Sequence, residues 1–351
     1  MKKLLWMLCL GLVLPFAAGA DERSRVTYVD VEEFARLPQG VRYPEGIASD
    51  PRTGDIFVGT FDFGPNKNKL VRISANGKVA AVKDFDGTPL LGLGFAHGQV
   101  YILNMGASKV QRIAANFDAT TPVQDVASVP SVGPPAPRPS GNPDGTADTI
   151  TFASNGFAAP NAMVFDATGN LYVSDSFQGA IFRIASVATC ATPCPMMLIS
   201  HDSLLATAGF PPFGANGLAL SGDGKTMFIA NTGDNRVLRM DMATSAVSVF
   251  AESVHGADGL WMENGRLWVA ANQSDVVVAL DANGRQVVRA GEFSGVRKDG
   301  TPDGLLFPAS MTVVGGWMYV TNLALPLTAK VGDEPEEDVT IWTVSRFRLP
   351  H

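Results

Sequence analysis

The chain has 351 residues, of which 46% are hydrophobic and 17% are charged, and its formal net charge is −7. The 36 Gly and 23 Pro disfavour long helices, and the lack of a glycine period or a heptad repeat excludes collagen-like and coiled-coil folds. The hydrophobic fraction excludes a disordered chain, and the acidic balance argues against nucleic acid as a partner.

The first twenty residues have the pattern of a secretory signal peptide. Two lysines precede an apolar run over residues 4–16, and the small residues 18–20 suit signal peptidase. The run is too short to span a bilayer comfortably, and no later stretch approaches the length of a spanning helix. We therefore predict a signal peptide at residues 1–20, and a single domain at residues 21–351 that is periplasmic or secreted and has no membrane span after cleavage.

One structural unit recurs six times after a strand-like segment at residues 26–34. Each unit contains an apolar strand, a tight turn with glycine, a strand with an aromatic or large apolar centre, and a polar residue. The copies span residues 46–60, 92–104, 161–175, 216–231, 258–272 and 310–322. A third strand then begins near Leu70, Val110, Ile181, Val237, Val277 and Ile341, and most units add a fourth, more polar strand.

Four antiparallel strands per unit are typical of a propeller blade, so we predict an all-β, six-bladed β-propeller. The last unit has no room for its own fourth strand. We therefore expect residues 26–34 to pair with the last blade and to close the ring, which removes exposed sheet edges.

Two insertions interrupt the repeats. Residues 118–159 include a segment that is too rich in proline and glycine for a strand interior. Residues 323–338 end in an acidic run, which predicts a solvated surface loop. Long loops of this kind can cover the central opening of a propeller, and we expect them to influence substrate choice.

Two cysteines remain in the predicted mature chain. Cys190 and Cys194 flank three residues in a turn-rich stretch. An oxidising compartment predicts a disulfide between them, and a metal site is disfavoured because no histidine or second cysteine pair accompanies them.

The candidate functional residues come from the start of the first strand in each unit, because these positions converge at one mouth of a propeller channel. In ring order they are Glu45, Leu91, Asn161, Asn216, Asp258 and Ala309. Asn-Gly and Asp-Gly are also common turn sequences, which leaves a purely structural explanation open for two of them. That explanation does not account for Glu45, a glutamate at the equivalent position of the first unit.

Two carboxylates and two amide carbonyls aimed at one axis are costly to desolvate without a cation. We therefore predict that Glu45, Asn161, Asn216 and Asp258 bind a divalent metal. Oxygen donors suit Ca²⁺ best, and Mg²⁺, Mn²⁺ and Zn²⁺ are the alternatives.

The sequence resembles a known family across nearly the whole predicted mature chain. The segments that carry the resemblance are YPEGIASD from Tyr43, APNAMVFDATGNLYVSD from Ala159, ANGLALSGDGKTMFIANT from Ala215 and ADGLWMENGRLWVA from Ala257. They are similar to the senescence marker protein, gluconolactonase and luciferin-regenerating enzyme family of six-bladed propellers.

The resemblance implies a metal-dependent hydrolase that acts on a small-molecule lactone or related ester. Its metal ligands carry over to the same four residues, and Asp258 is expected to orient or deprotonate the attacking water. His255, three residues before Asp258, is the one histidine placed near the mouth and is a second catalytic candidate. The oligomeric state is left open.

Two alternatives remain. The loops before Phe157 and Phe307 also resemble those of NHL-repeat propellers, which implies a non-catalytic protein that binds a protein or carbohydrate partner and holds a structural calcium. A propeller similar to strictosidine synthase or streptogramin lyase would need a dedicated acid or base in the channel, and His255 is the candidate for that role beyond the metal carboxylates.

Overall fold

The computed structural model describes residues 26–153 and 157–350 of the chain. Within these ranges nearly all regular structure is β-strand, and the helices are single 3₁₀ turns at Met105–Ala107, Asn272–Ser274 and Pro335–Asp338. No helix in the described ranges is long and apolar enough to cross a membrane. The predicted signal peptide, residues 1–20, lies outside the described residues.

Two short strands come first, β1 (Thr27–Val29) and β2 (Glu32–Arg36). Blade one contains β3 (Pro44–Ser49), β4 (Ile56–Thr60), β5 (Lys69–Ile73) and β6 (Val79–Asp84). Blade two contains β7 (Leu90–Ala96), β8 (Gln99–Asn104), β9 (Lys109–Ala114) and β10 (Gln124–Ser128). A separate hairpin follows, formed by β11 (Arg138–Gly141) and β12 (Ala147–Ile150).

Blade three contains β13 (Pro160–Phe165), β14 (Leu171–Asp175), β15 (Ala180–Ile184) and β16 (Met196–His201). Blade four contains β17 (Ala215–Leu220), β18 (Thr226–Asn231), β19 (Arg236–Asp241) and β20 (Val247–Glu252). Blade five contains β21 (Ala257–Glu263), β22 (Arg266–Ala271), β23 (Val276–Leu280) and β24 (Gln286–Ala290). After a second hairpin, β25 (Phe293–Val296) and β26 (Pro302–Gly304), blade six contains β27 (Pro308–Val314), β28 (Trp317–Asn322) and β29 (Thr343–Arg348).

Antiparallel pairing runs through all four strands of every blade, which confirms the predicted six-bladed β-propeller. The third strand of blade six begins at Thr343, two residues later than the sequence pattern indicates. The aromatic centres of the repeats all lie in second strands, and all but the half-buried Phe228 are buried. Phe57, for example, packs in a cluster that combines residues of blades one and two, so the core lies between neighbouring blades.

The N-terminal segment closes the ring, but not as one strand. β2 pairs antiparallel with β29 and supplies the outer strand of blade six, as predicted. β1 instead pairs parallel with β24 and extends blade five, so the prediction of a single strand over residues 26–34 was wrong. At the channel, the Thr321 hydroxyl of blade six donates a 2.8 Å hydrogen bond to the carbonyl of Glu45 in blade one. The pairing of β2 with β29 therefore closes the ring at its outer edge, and the hydrogen bond from Thr321 joins blades six and one at the inner edge.

Glycine allows the innermost strands to approach closely. A Cβ atom on Gly46 would lie 2.1 Å from the carbonyl oxygen of Leu91 in blade two, and one on Gly217 would lie 2.1 Å from that of Asp258 in blade five. Both positions lie inside strands. The glycine that follows a candidate site residue therefore serves axial packing, and the turn explanation for Asn-Gly and Asp-Gly was wrong.

The first insertion contains more regular structure than its composition predicts. Its early part is β10, the outer strand of blade two, and β11 lies within the stretch that is rich in proline and glycine, so the exclusion of a strand there was wrong. Pro139 is tolerated because the hairpin has only two strands, both of them edges, where the missing N–H need not break a ladder. In the second insertion the acidic run is exposed or half-buried, as expected.

Cys190 and Cys194 form the predicted disulfide, with their Cα atoms 5.6 Å apart. The bond lies in the connection between β15 and β16. Because successive strands of a blade alternate in direction, this connection is at the opposite end of blade three from the start of its inner strand.

Candidate metal centre

The six predicted ring positions occupy equivalent places in the structure. Each is the second residue of its blade's innermost strand. In every blade the pairing register of that strand shifts after its first residue, so the second residue is released from the regular ladder. Such irregularities commonly re-aim side chains beside functional sites.

Glu45, Asn161, Asn216 and Asp258 all line one cavity of about 300 Å³, and Leu91 lines it with them. All four polar side chains are buried. The structure therefore brings together the four oxygen-bearing residues that the sequence identifies.

Hydroxyl groups fix the orientation of both asparagine amides. The Ser176 hydroxyl donates to the carbonyl of Ala215 (2.7 Å), so its oxygen is left to accept from Asn161 Nδ2 (2.8 Å). In the next blade the Thr232 hydroxyl donates to the carbonyl of Ala257 (2.7 Å) and accepts from Asn216 Nδ2 (2.9 Å). Because each hydroxyl proton is already engaged, the NH₂ group of each amide must face the hydroxyl, which turns the amide oxygen away from it.

Asn272 plays the corresponding part for Asp258 and was missed as a site residue by the sequence analysis. A carboxylate needs a donor, and Asn272 Nδ2 donates to Asp258 Oδ2 at 3.1 Å. Asn272 directly follows the second strand of blade five, as Ser176 and Thr232 follow those of blades three and four. The signal was present in the sequence, because the fifth repeat ends on this polar residue.

Several buried oxygens at this site have no hydrogen-bond partner among the described residues. They are Glu45 Oε2, Asn161 Oδ1, Asp258 Oδ1 and Asn272 Oδ1. Buried polar atoms are nearly always paired, since an unpaired one costs about 1–3 kcal/mol. All four atoms are acceptors, so a cation or a proton donor is the partner that would satisfy them. The residues present therefore fit a hard divalent cation. We refer to Glu45, Asn161, Asn216, Asp258 and Asn272 as the oxygen cluster.

Both carboxyl groups of the oxygen cluster have raised pKa values. Burial and the nearby charge of Asp258 raise the pKa of Glu45 well above its ordinary value. Burial raises the pKa of Asp258 to about 7, although the amides of Asn272 and Asn216 act in the opposite direction. No Lys, Arg or His of the described chain lines the cavity. The described lining residues therefore supply no positive charge to compensate the two carboxylates.

The rest of the cavity is apolar and is built largely by loops at the same end of the blades. We call this surface the apolar wall. It comprises Phe61, Phe63, Leu91, Phe210, Pro211, Pro212, Phe213, Phe307, Leu323, Leu325, Pro326 and Leu327. The second insertion contributes Leu323, Leu325, Pro326 and Leu327, as expected for a loop over the opening. The described part of the first insertion up to residue 153 contributes none, and residues 210–213 come from a β16–β17 connection that the sequence analysis did not single out.

His255 does not join the oxygen cluster. Its side chain is exposed and is not among the residues that line the cavity. Of the other histidines, His97 lies in a turn with positive φ, and His201 Nε2 contacts the carbonyl of Gly133 at 3.1 Å. The geometry gives Asp258 a place in the candidate site and gives His255 none.

Comparison with known proteins agrees with this architecture. Residues 196–291 match the family model described as "SMP-30/Gluconolactonase/LRE-like region". A solved luciferin-regenerating enzyme is similar with a TM-score of 0.59 and 17% identity, over 91% of this chain and 95% of the other. A calcium-binding protein, regucalcin, from Agrobacterium tumefaciens strain C58 is similar with a TM-score of 0.59 and 15% identity, over 93% and 97%.

A gluconolactonase from Xanthomonas campestris is similar with a TM-score of 0.53 and 14% identity, over 90% of this chain and 89% of the other. No curated protein sequence matches the chain significantly. At these identities the solved structures establish a shared fold. Together with the matched segment, they confirm the resemblance of this chain to the SMP-30, gluconolactonase and luciferin-regenerating enzyme family.

Proposed function

We propose that this chain is an exported, divalent-metal-dependent hydrolase that opens a lactone or a related ester. The observation that carries the proposal is the set of buried acceptor oxygens in a ligand-sized cavity that have no partner among the described residues. A channel that holds no cation or proton donor gains nothing from burying such atoms, and a metal-assisted hydrolase would use them to hold its cation. The resemblance to a family that includes gluconolactonases supports the same reaction class.

Glu45, Asn161, Asn216 and Asp258 are the residues that would hold the cation. Their oxygens are carboxylate and amide oxygens, which Ca²⁺ prefers, and Mg²⁺, Mn²⁺ and Zn²⁺ remain alternatives. A bound divalent cation supplies a Lewis acid that polarises the substrate carbonyl and offsets the charge that develops on its oxygen.

Asp258 is suited to handle the proton of the attacking water. Its Oδ2 is held by Asn272, while its Oδ1 has no partner among the described residues. The carboxylate is placed to accept a proton from that water and to return it. In the proposed reaction, water adds to the carbonyl carbon, the ring C–O bond breaks, and the proton passes through Asp258 to the departing alkoxide, which yields a hydroxy acid.

The test is metal analysis of the purified chain together with hydrolysis of a panel of lactones and aryl esters, before and after chelation. Asn216→Ala should lose both metal and turnover. His255→Ala is the matched control, because His255 is exposed and outside the cavity, and it should retain both. A variant that loses the metal but keeps full activity would refute the proposal. A metal-loaded chain that is inert towards the panel would favour a structural cation in a binding propeller.

The Cys190–Cys194 disulfide supports the proposal that the chain is exported, because such bonds persist in oxidising compartments. Cell fractionation tests it directly. Recovery of the chain from the periplasm or the medium, with its first twenty residues removed, is the expected result, and recovery of the intact chain from the cytoplasm would contradict it.

A further inference from the structure

The ring around the cavity is divided into a polar half and an apolar half. The position directly after each second strand is Ser176, Thr232 or Asn272 in blades three to five. In blades six, one and two the same position holds Leu323, Phe61 or Met105. Asn161, Asn216 and Asp258 therefore have hydrogen-bonding groups behind them. Blades six, one and two, of which blade one carries Glu45, offer apolar surface at this position.

Among the described residues, the polar side chains that line the cavity belong to the oxygen cluster and to Thr232, whose hydroxyl is engaged by Asn216 and Ala257. The other described lining residues belong to the apolar wall. A substrate with hydroxyl groups along its body would have to bury them without side-chain partners there, which is unfavourable. An anionic substrate would meet two carboxylates and no cationic side chain among the described lining residues.

Aromatic rings continue from the cavity onto the surface. Phe63 and Phe210 both line the cavity, yet 70% and 61% of their surfaces are exposed. Phe63 stacks edge-on against Phe61 at 4.7 Å, and Phe61 contacts Phe213 at 6.1 Å between ring centroids. Large exposed apolar groups at the rim of a cavity mark a surface that binds an apolar ligand.

We propose that the substrate is a neutral lactone or ester whose body is an alkyl or aryl group, rather than a polyol lactone. This inference rests on the proposed hydrolase function for the reactive group, while the apolar wall alone determines the body. The reactive carbonyl lies towards the oxygen cluster, and the apolar body lies against Phe61, Phe213, Leu325 and their neighbours.

Binding of lactams, which resist hydrolysis, tests the inference without turnover. Isothermal titration calorimetry would compare δ-valerolactam, its 6-propyl derivative and gluconolactam, each with and without Ca²⁺. Burying one methylene favours binding about four-fold, so the propyl derivative should bind on the order of fifty-fold more tightly than the parent. That ratio should be similar with and without Ca²⁺, because the apolar wall contains no metal ligand. Equal binding of the three lactams, no detectable binding of any, or a preference for gluconolactam would overturn the inference.

A matched pair of variants tests whether the propyl group binds against the apolar wall. Phe63→Ala should lower the propyl-to-parent ratio several-fold without unfolding the protein, since the ring is mostly exposed. Tyr28→Ala removes a ring that is 76% exposed on β1, away from the cavity, and should leave the ratio unchanged. An unchanged ratio in Phe63→Ala would count against the apolar wall as the binding surface.

Hydrolysis of the corresponding lactones separates this inference from the proposed function. If the alkyl lactams bind as expected but no lactone is opened, the inference holds and the hydrolase proposal fails. If gluconolactone is opened in preference to alkyl lactones, the hydrolase proposal holds and the inference fails.

Discussion

Replacing Asp258 by asparagine tests the electrostatic description of the site most directly, because it removes the charge and keeps the shape. The side chain is only 5% exposed, and burial raises the pKa of Asp258 to about 7. An amide oxygen at this position can still accept the 3.1 Å hydrogen bond from Asn272. The substitution therefore removes one buried negative charge, together with its repulsion of Glu45.

The sign and size of the effect follow from proton linkage. Between the ordinary carboxyl pKa of 3.8 and about 7, the folded chain retains the Asp258 proton and the unfolded chain loses it. Stability of the metal-free protein therefore falls as the pH rises through this window. A pKa change of this size corresponds to about 4 kcal/mol. Asp258→Asn should thus raise the free energy of unfolding by up to about 4 kcal/mol at pH 8 and by little at pH 4.

Urea unfolding of metal-free protein at pH 4 and pH 8, followed by tryptophan fluorescence, measures this difference. Adding Ca²⁺ at pH 8 should reverse the order, because the wild-type chain gains binding energy that the variant has lost. Asp175→Asn is the control. Burial also raises the pKa of Asp175, but both of its carboxylate oxygens accept hydrogen bonds from N–H groups. An asparagine there would turn its NH₂ group towards one of these donors, so the substitution should destabilise the protein at pH 8. The reasoning is refuted if Asp258→Asn is no more stable than wild type at pH 8 without metal.

Two further substitutions and one disulfide reduction test the residues that support the site and the fold. Thr232→Val removes the hydroxyl that orients one inner-strand amide and should weaken Ca²⁺ binding about ten-fold by calorimetry, whereas unchanged affinity would exclude an orienting role. Gly217→Ala places a Cβ 2.1 Å from a backbone oxygen and should cost at least about 2 kcal/mol in urea unfolding, while Gly222→Ala, with open space around it, should be near neutral. Reducing the Cys190–Cys194 bond should cost about 2 kcal/mol by loop entropy, with no change in Ca²⁺ affinity because the bond lies at the far end of its blade.

The repeat made the fold predictable from sequence. Six copies of one strand pair, five of them with a buried centre such as Trp268, have few ways to bury their apolar faces other than a closed ring. The same register also identified Glu45 and Asn161 as neighbours across the channel. Equivalent positions in a cyclic repeat lie at the same distance from the central axis. That these residues meet at the channel can therefore be predicted from the repeat without any knowledge of side-chain contacts.

The parts that were missed depend on contacts that no repeat encodes. Asn272 has a role only because the inner-strand residue of its blade is an acid, and that pairing becomes visible when β21 and β22 lie side by side. The loop that carries Phe210 and Phe213 lies outside the repeated unit, so its position over the cavity is a property of the folded chain. The two-strand arrangement at the N-terminus likewise depends on the free edge that β24 presents to β1.

In blades three to five, each inner-strand residue of the oxygen cluster pairs with a residue at the end of the second strand, and the two side chains are chemically matched. An asparagine presents its carbonyl to the channel only if its NH₂ group is occupied, and Ser176 and Thr232 provide an acceptor for that purpose. An aspartate needs the reverse, and Asn272 provides a donor. The partner therefore changes from hydroxyl to amide where the channel residue changes from amide to acid. Each pair leaves an oxygen directed away from its partner, and a ring of oriented, buried oxygens favours a cation without further rearrangement.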